Sequence, residues 1–202
     1  MLSPSPGPHP LPPDLARVSL PLADVDQTWF RHHRPDLGPL FFGRTGECRF
    51  DAPAPDRAFG VLYLAADIHC AFIETFGHGH VTRGRLVTQG ALQQKRLALV
   101  RFRRPLFLVD LRDAGLARIG ADLRLCAGDY DISQAWSGAL HDHPQAPDGV
   151  LYRSRHDPGR LCAAVYERAQ AHVTFTDGGT LADPLRATEL ARILDDYDYG
   201  LL

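Results

Sequence analysis

Short apolar runs rich in β-branched and aromatic residues recur along this chain, and proline, glycine and polar turns bound them. The clearest run, FGVLYLA at 59–65, is typical of a buried strand. The runs do not alternate strictly with helical patterns, which favours an α+β fold over a doubly wound parallel sheet. The predicted strands are 29–33, 59–65, 96–102, 105–111, 150–154, 161–167 and 173–176, with a turn at 103–104.

Helical periodicity is strongest directly after the 59–65 run. Asp67 has the residue type and the place of an N-cap, and apolar side chains then recur at helical spacing as far as Phe76. Gly77 and Gly79 end this pattern. Two further helices are predicted, at 133–141 and at 188–196.

The first fifteen residues differ in composition from the rest of the chain. Six prolines between positions 4 and 13 fix φ and remove amide donors, which predicts a flexible arm over 1–15 and one folded domain over 16–202. The start lacks the basic and apolar regions of an ordinary signal peptide, and no run is long enough to span a membrane. We therefore expect a protein of the cytoplasm that does not act in a membrane.

Charge and cysteine usage narrow the function classes. The net charge of -2 and the absence of a basic helix-turn-helix pattern argue against a nucleic-acid-binding regulator. The four cysteines are far apart and form no CxxC pair, which predicts reduced, mostly buried thiols. The histidine pairs His78/His80 and His141/His143 have no third ligand at a familiar spacing, so we expect no metal site.

A nucleotide, if bound, has to be held by arginines, because neither GxGxxG nor GxxxxGK[ST] occurs. Arg31, Arg34, Arg44 and Arg49 surround a loop punctuated by glycine and proline, where forked guanidinium groups can meet an anion. Four solvated surface arginines would give the same spacing, and that alternative stays open. Two other arginines, Arg83 and Arg112, are assigned to ordinary surface.

Three other residues stand at positions where sites are often built. Tyr63 interrupts an aliphatic strand, Glu74 lies off the apolar stripe of the helix that follows, and Ser154 ends the 150–154 run. Ends of strands and strand-to-helix connections often carry function, although a solvated helix face or strand end has the same pattern.

Taken together, these segments resemble the RES-domain family, whose name records an arginine, a glutamate and a serine. The matching segments are WFRHH (29–33), GPLFFG (38–43), RFDAP (49–53), FGVLYLA (59–65), AFIETF (71–76), PLFLVDL (105–111) and DGVLYRSR (148–155). By this resemblance, the family's two arginines fall on Arg31 and Arg49, its tyrosine on Tyr63, its glutamate on Glu74 and its serine on Ser154.

The resemblance implies a compact α+β domain similar to the diphtheria-toxin type of ADP-ribosyltransferase, with NAD⁺ as its substrate. It implies the toxin of a toxin–antitoxin pair, which cleaves the nicotinamide–ribose bond and is restrained by an antitoxin covering the cleft. The ADP-ribose acceptor, a host protein, phosphate or water, stays open. Glu74, Arg31 and Ser154 are the expected catalytic residues, and Arg31, Arg49, Tyr63 and Ser154 the expected NAD⁺-binding residues. A catalytically inactive module that senses a nucleotide in the same cleft is the alternative.

Overall fold

A computed structural model describes residues 11–77 and 85–202 of the chain. The ten strands of this part are β1 (Leu22–Val25), β2 (Trp29–His33), β3 (Val61–Ala65), β4 (Arg85–Val87), β5 (Arg96–Phe102), β6 (Leu106–Asp110), β7 (Gly149–Arg153), β8 (Leu161–Tyr166), β9 (Val173–Asp177) and β10 (Tyr199–Leu201). Its six α-helices are α1 (Ile68–Phe76), α2 (Gln89–Gln93), α3 (Ala114–Arg118), α4 (Arg124–Ala127), α5 (Tyr130–His141) and α6 (Ala187–Asp196).

Eight of these strands form one sheet in the order β1-β6-β7-β8-β3-β2-β5-β9. Neighbours in this sheet pair antiparallel except β6 and β7, which are parallel. The remaining strands, β4 and β10, form a small parallel sheet of their own. The predicted α+β class is confirmed as far as a single mixed domain of helices and strands, while the finer assignment to the diphtheria-toxin type stays a prediction.

The large sheet curls, because strands near its two ends share one core. The predicted turn at 103–104 joins β5 to β6, yet these strands do not pair and lie near opposite ends of the sheet. Val100 of β5 and Leu108 of β6 are nonetheless buried in the same apolar cluster, together with Trp29 and Leu62. Burial of one shared sheet face thus determines the curl.

Helices cover the other face of the sheet. Trp136 and Leu140 of α5 pack against residues of β3, β6, β7 and β8 in a second core cluster. Phe72 and Ile73 of α1 lie in a third core cluster, which also contains residues of α6 and Leu97 of β5. Since other residues of α1 belong to the second cluster, this helix packs against the core on two sides.

Strands β2 and β3 are joined at one point. They pair only through Phe30 and Ala65, whereas β2 pairs with β5 along its whole length. The backbones of β2 and β3 therefore separate beyond this pair, and α1 follows directly after the end of β3. This gap in the sheet is where the candidate site lies.

Helix α1 was predicted from its cap, and this prediction is confirmed. The Asp67 side chain accepts a hydrogen bond of 2.8 Å from the Cys70 amide, and the Gly77 amide closes the last turn on the Ile73 carbonyl. Gly79, the second predicted stop, lies outside the described residues. So do residues 1–10 of the predicted arm, and the division at residue 15 stays a prediction. Leu15 itself is buried in the core.

Candidate active site

A cavity of about 490 Å³ opens at the gap between β2 and β3. This volume is in the range of small-molecule sites. Four of the five predicted residues line it: Arg31, Arg49, Tyr63 and Glu74. Arg31 comes from β2, Arg49 from the loop before β3, Tyr63 from β3 and Glu74 from α1. Residues far apart in the sequence therefore meet at one wall.

Arg31 and Arg49 have no acidic partner among the described residues. Arg31 donates one hydrogen bond of 3.2 Å to the Phe41 carbonyl. Arg49, 8% exposed, donates to the Gly128 carbonyl at 2.7 Å and to Ser133 Oγ at 3.2 Å. Among residues 11–77 and 85–202, no carboxylate lies within ion-pair distance of either guanidinium. The cavity wall thus carries two positive charges that the described chain does not neutralise.

The charge of Arg31 is costly in this cavity. Burial lowers the pKa of Arg31 well below its ordinary value, to about 10, which means that its charged form is poorly solvated. An anion placed between the two guanidinium groups would remove this penalty, and their planar forks suit phosphate oxygens. The electrostatics therefore favour an anionic ligand.

The carboxylate of Glu74 is held by the predicted serine. Ser154 Oγ donates a hydrogen bond of 2.5 Å to Glu74 Oε1. The same Oγ accepts from the amides of His156 at 3.2 Å and Asp157 at 3.0 Å, so its hydrogen-bonding capacity is used. Ser154 is 2% exposed and does not line the cavity. The hydrogen bond holds the Glu74 carboxylate in place, and the expected catalytic role of Ser154 and its direct contact with NAD⁺ stay predictions.

An ion-pair network fixes the loop that carries Ser154. The Arg160 guanidinium pairs with Asp157 of this loop at 2.9 Å and with Asp67, the cap of α1, at 2.8 Å. The Ser154 amide also donates to the Arg160 carbonyl at 2.9 Å. Arg160 therefore connects the loop that carries Ser154 to the start of α1, the helix that carries Glu74.

The hydroxyl of Tyr63 is already engaged. It donates to Asp51 Oδ1 at 2.9 Å and accepts from the Phe50 amide at 2.9 Å. Burial, with Asp51 beside it, raises the pKa of Tyr63 well above its ordinary value, so the phenol stays protonated. Its ring lines the cavity, and stacking rather than hydrogen bonding is the contact left to it.

Two of the four arginines around the predicted loop do not belong to the cavity. Arg34 pairs with Asp36, and Arg44 pairs with Glu167 at 2.5 Å, both near the surface. The cluster expected from the sequence is therefore divided, and only Arg31 and Arg49 reach the site. Arg112, assigned to the surface, pairs with Asp110 at 2.7 Å. Arg83 lies outside the described residues.

The structure adds residues that sequence reasoning did not select. Tyr152 and Tyr130 line the cavity, as does the exposed Arg155 at its rim. The Arg49 guanidinium carbon lies 4.8 Å from the centre of the Tyr130 ring. Tyr152 precedes Ser154 by two residues, and the alternation of a strand was a sequence signal for a shared face. Nothing in the sequence pattern marked Tyr130.

Cysteine and histidine side chains give no metal site in the part of the chain that the structure describes. All four cysteines are free, and three are buried, with Cys70 Sγ 3.5 Å from Cys162 Sγ. His141 stacks on Phe59, while His78 and His80 lie outside the described residues. Over residues 11–77 and 85–202, none of the helices has the length and hydropathy of a membrane span.

Comparison with known proteins agrees with these motifs. A model of the RES domain family matches residues 17–183. The probable toxin y4kH of Sinorhizobium fredii is 35% identical to this chain over 112 residues, 55% of this chain and 86% of that protein. A chain in the crystal structure of the M. tuberculosis MbcT–MbcA toxin–antitoxin complex has a similar fold, with a TM-score of 0.60 and 18% identity. This match covers 88% of our chain and 100% of that one. The resemblance inferred from the sequence is confirmed.

Proposed function

Since this chain belongs to the RES domain family, we propose that it is the toxin of a toxin–antitoxin pair and cleaves the nicotinamide–ribose bond of NAD⁺. One observation carries the proposal: two arginines that have no acidic partner in the described part of the chain line the same cavity as one carboxylate held by a serine. A dinucleotide offers both matching features, an anionic pyrophosphate and a glycosidic bond that becomes cationic as it breaks.

The pyrophosphate is the part of NAD⁺ that suits Arg31 and Arg49. It carries two negative charges, and each guanidinium has N–H donors that the described chain does not use. Binding would give the poorly solvated Arg31 cation charge-assisted hydrogen bonds, which are about twice as strong as neutral ones. The exposed Arg155 at the rim adds to the attraction for an anion entering the cavity.

Glu74 is suited to the step that breaks the bond. When the bond from ribose C1 to nicotinamide breaks, its electron pair leaves with the nicotinamide nitrogen and positive charge develops on the ribose. A fixed carboxylate stabilises this charge, directly or through a ribose hydroxyl. The bond from Ser154 keeps Glu74 in one orientation before the reaction, so little reorganisation is needed. The Tyr63 ring offers a flat surface for stacking on nicotinamide.

The ADP-ribose group is then transferred to a protein side chain, phosphate or water. An enzyme of this kind would deplete or modify the NAD⁺ pool or proteins of its own host, so it requires restraint. The fold shared with a chain of a toxin–antitoxin complex supports a cognate antitoxin as the partner. Such a partner can inhibit by inserting a segment into the cavity, where arginines and aromatic rings offer anchors.

The test is release of nicotinamide from NAD⁺ by the purified protein, in buffer alone, with phosphate and with cell lysate. We expect release in at least one condition, and the condition identifies the acceptor. Glu74→Gln keeps the side-chain volume but removes the charge, so release should fall about a hundredfold or more while the melting temperature stays unchanged.

Glu189→Gln is the matched control, because Glu189 pairs with Arg186 on α6 and does not line the cavity. It should release nicotinamide like the parent. Undiminished release by folded Glu74→Gln would refute the role of Glu74. A parent protein that binds NAD⁺ without releasing nicotinamide would instead be the nucleotide-sensing module.

A further inference from the structure

Tyr152 is a cavity residue to which the proposed chemistry assigns no role. It lies on β7, pairs with Cys162 of β8, and precedes Ser154 by two residues. Its side chain is 8% exposed and lines the cavity. The ring packs against Phe50, with ring centres 4.9 Å apart. Packing therefore holds the ring while leaving its edge on the cavity.

The hydroxyl of Tyr152 makes no hydrogen bond within the part of the chain that the structure describes. Several histidine nitrogens are buried with neither a hydrogen-bond partner nor solvent contact, but the Tyr152 hydroxyl is not among these atoms. Four other tyrosines have bonded hydroxyls: Tyr63, Tyr166, Tyr197 and Tyr199. A largely buried hydroxyl without a partner is unfavourable, so a ligand is the natural acceptor for it.

Glu74 provides the complementary group. Ser154 occupies its Oε1, and Oε2 has no hydrogen-bond partner among the described residues. Glu74 and Tyr152 interact electrostatically across the cavity wall, and burial raises the pKa of Tyr152 well above its ordinary value. Tyr152 is thus a neutral O–H donor in the same cavity as a carboxylate oxygen that can only accept.

We infer that Tyr152 donates a hydrogen bond to the 2′-hydroxyl of the nicotinamide ribose, whose own proton is donated to Glu74 Oε2. This inference rests on the proposed NAD⁺ cleavage. A hydroxyl accepts one bond and donates another through a single atom, so it satisfies both groups. A phosphate oxygen has no proton for Glu74 and would be repelled by it. The 2′-hydroxyl is next to C1, where Glu74 has to act, so Tyr152 selects for ribose and orients it.

The experiment combines Tyr152→Phe with an NAD⁺ analogue that lacks the 2′-hydroxyl on the nicotinamide ribose. With NAD⁺, Tyr152→Phe should lower kcat/KM for nicotinamide release about tenfold or more. With the deoxy analogue, variant and parent should agree within about twofold, because the acceptor is already missing. Comparing variant with parent on each substrate cancels the different intrinsic reactivity of the analogue.

Tyr199→Phe is the control, because its hydroxyl donates to the Phe76 carbonyl at 3.1 Å and the residue does not line the cavity. Its kcat/KM should match the parent on both substrates, while its melting temperature falls. Tyr152→Phe should show the reverse, with no loss of melting temperature in the absence of ligand, since no bond within the described chain is removed.

The carboxamide of nicotinamide also has a hydrogen-bond donor and an acceptor, so it is an alternative partner for Tyr152. A third substrate tests this alternative. With an analogue that carries an acetyl group instead, Tyr152→Phe should lose as much activity as with NAD⁺. If the loss disappears with the acetyl analogue and persists with the deoxy analogue, the ribose assignment is overturned. An equal loss on all three substrates, or no loss, overturns it too. A parent that releases no nicotinamide refutes the proposed function itself, and the inference with it.

Discussion

Replacing Arg31 with methionine should stabilise the ligand-free protein while removing its ability to bind NAD⁺. Methionine keeps an unbranched apolar chain against the cavity wall but carries no charge. The guanidinium of Arg31 has one hydrogen bond, to the Phe41 carbonyl, and no acidic partner among the described residues. The variant therefore removes a poorly compensated buried charge rather than a structural ion pair.

The magnitude follows from the pKa of Arg31, which burial lowers to about 10. A lowering of this size corresponds to about 3 kcal/mol of unfavourable solvation of the charged form. Because the folded-state pKa lies below the unfolded one, this cost is present at every pH below about 10 and is relieved only above it. Loss of the bond to Phe41 costs about 1 kcal/mol, which leaves a net gain of about 2 kcal/mol. For a chain of this length, the melting temperature should rise by about 4–8 °C.

The assay is urea denaturation and thermal melting at pH 7, each with and without inorganic pyrophosphate. Pyrophosphate should raise the melting temperature of the parent but not that of Arg31→Met. Arg34→Met is the control, since Arg34 is exposed and already paired with Asp36. Its stability and its rise in melting temperature with pyrophosphate should both match those of the parent. A clear loss of stability in Arg31→Met would show that the charge is compensated in the empty cavity, and the reasoning that leads to an anionic ligand would fail.

Three further predictions concern the braced carboxylate, pH and the partner. Ser154→Ala should lower kcat for nicotinamide release about tenfold or more with little change in KM, because it frees Glu74 without removing a substrate contact; a change in KM alone would contradict this. Burial, with His33, Lys95 and Arg186 nearby, lowers the pKa of His32 to about 3. As the pH falls below about 6.5, the imidazole is therefore protonated in the unfolded chain but not in the folded one. Stability should therefore fall by about 2 kcal/mol between pH 6.5 and 5, and His32→Gln should lose that much less over this range in urea titrations. Finally, expression of this chain alone should arrest growth, whereas co-expression with the gene next to it should restore growth and yield a complex that releases no nicotinamide; a harmless chain that turns over NAD⁺ quickly would point to a housekeeping hydrolase.

Local structure was predictable wherever the physical causes are local. Helix α1 follows from Asp67 at its start, helical apolar spacing and Gly77 at its end, and the structure confirms it. The strands β5 and β6 were also predicted, but the turn between them implied a local connection and not their places near opposite ends of the sheet. Partner choice depends on burial of a face shared by distant strands, which no window of sequence contains. Helices α3 and α4 are too short to show a periodic pattern.

Four of the residues that meet at the cavity could be selected from the sequence, but their contacts could not. Motif resemblance selected Arg31, Arg49, Tyr63 and Glu74, which the fold brings to one cavity. It did not indicate that the Tyr63 hydroxyl is bound by Asp51. Such contacts depend on residues that are neighbours in space and distant or unremarkable in sequence. The roles of individual side chains therefore needed the structure.

Ion pairing distinguishes Arg31 and Arg49 from several arginines outside the cavity. The partly buried Arg112, Arg160 and Arg186 each pair with a carboxylate, although the partly buried Arg57 is bonded to the Ala52 carbonyl and to Gln134 instead. The chain thus has enough acidic residues to neutralise guanidinium groups where only stability matters. Arg31 and Arg49 line the same cavity, and neither has such a partner among the described residues, although a paired carboxylate would offset the cost of burying each charge. An acidic neighbour would also compete with an anionic substrate for the same donors, so under the proposed function a carboxylate paired with these arginines would gain stability at the expense of binding.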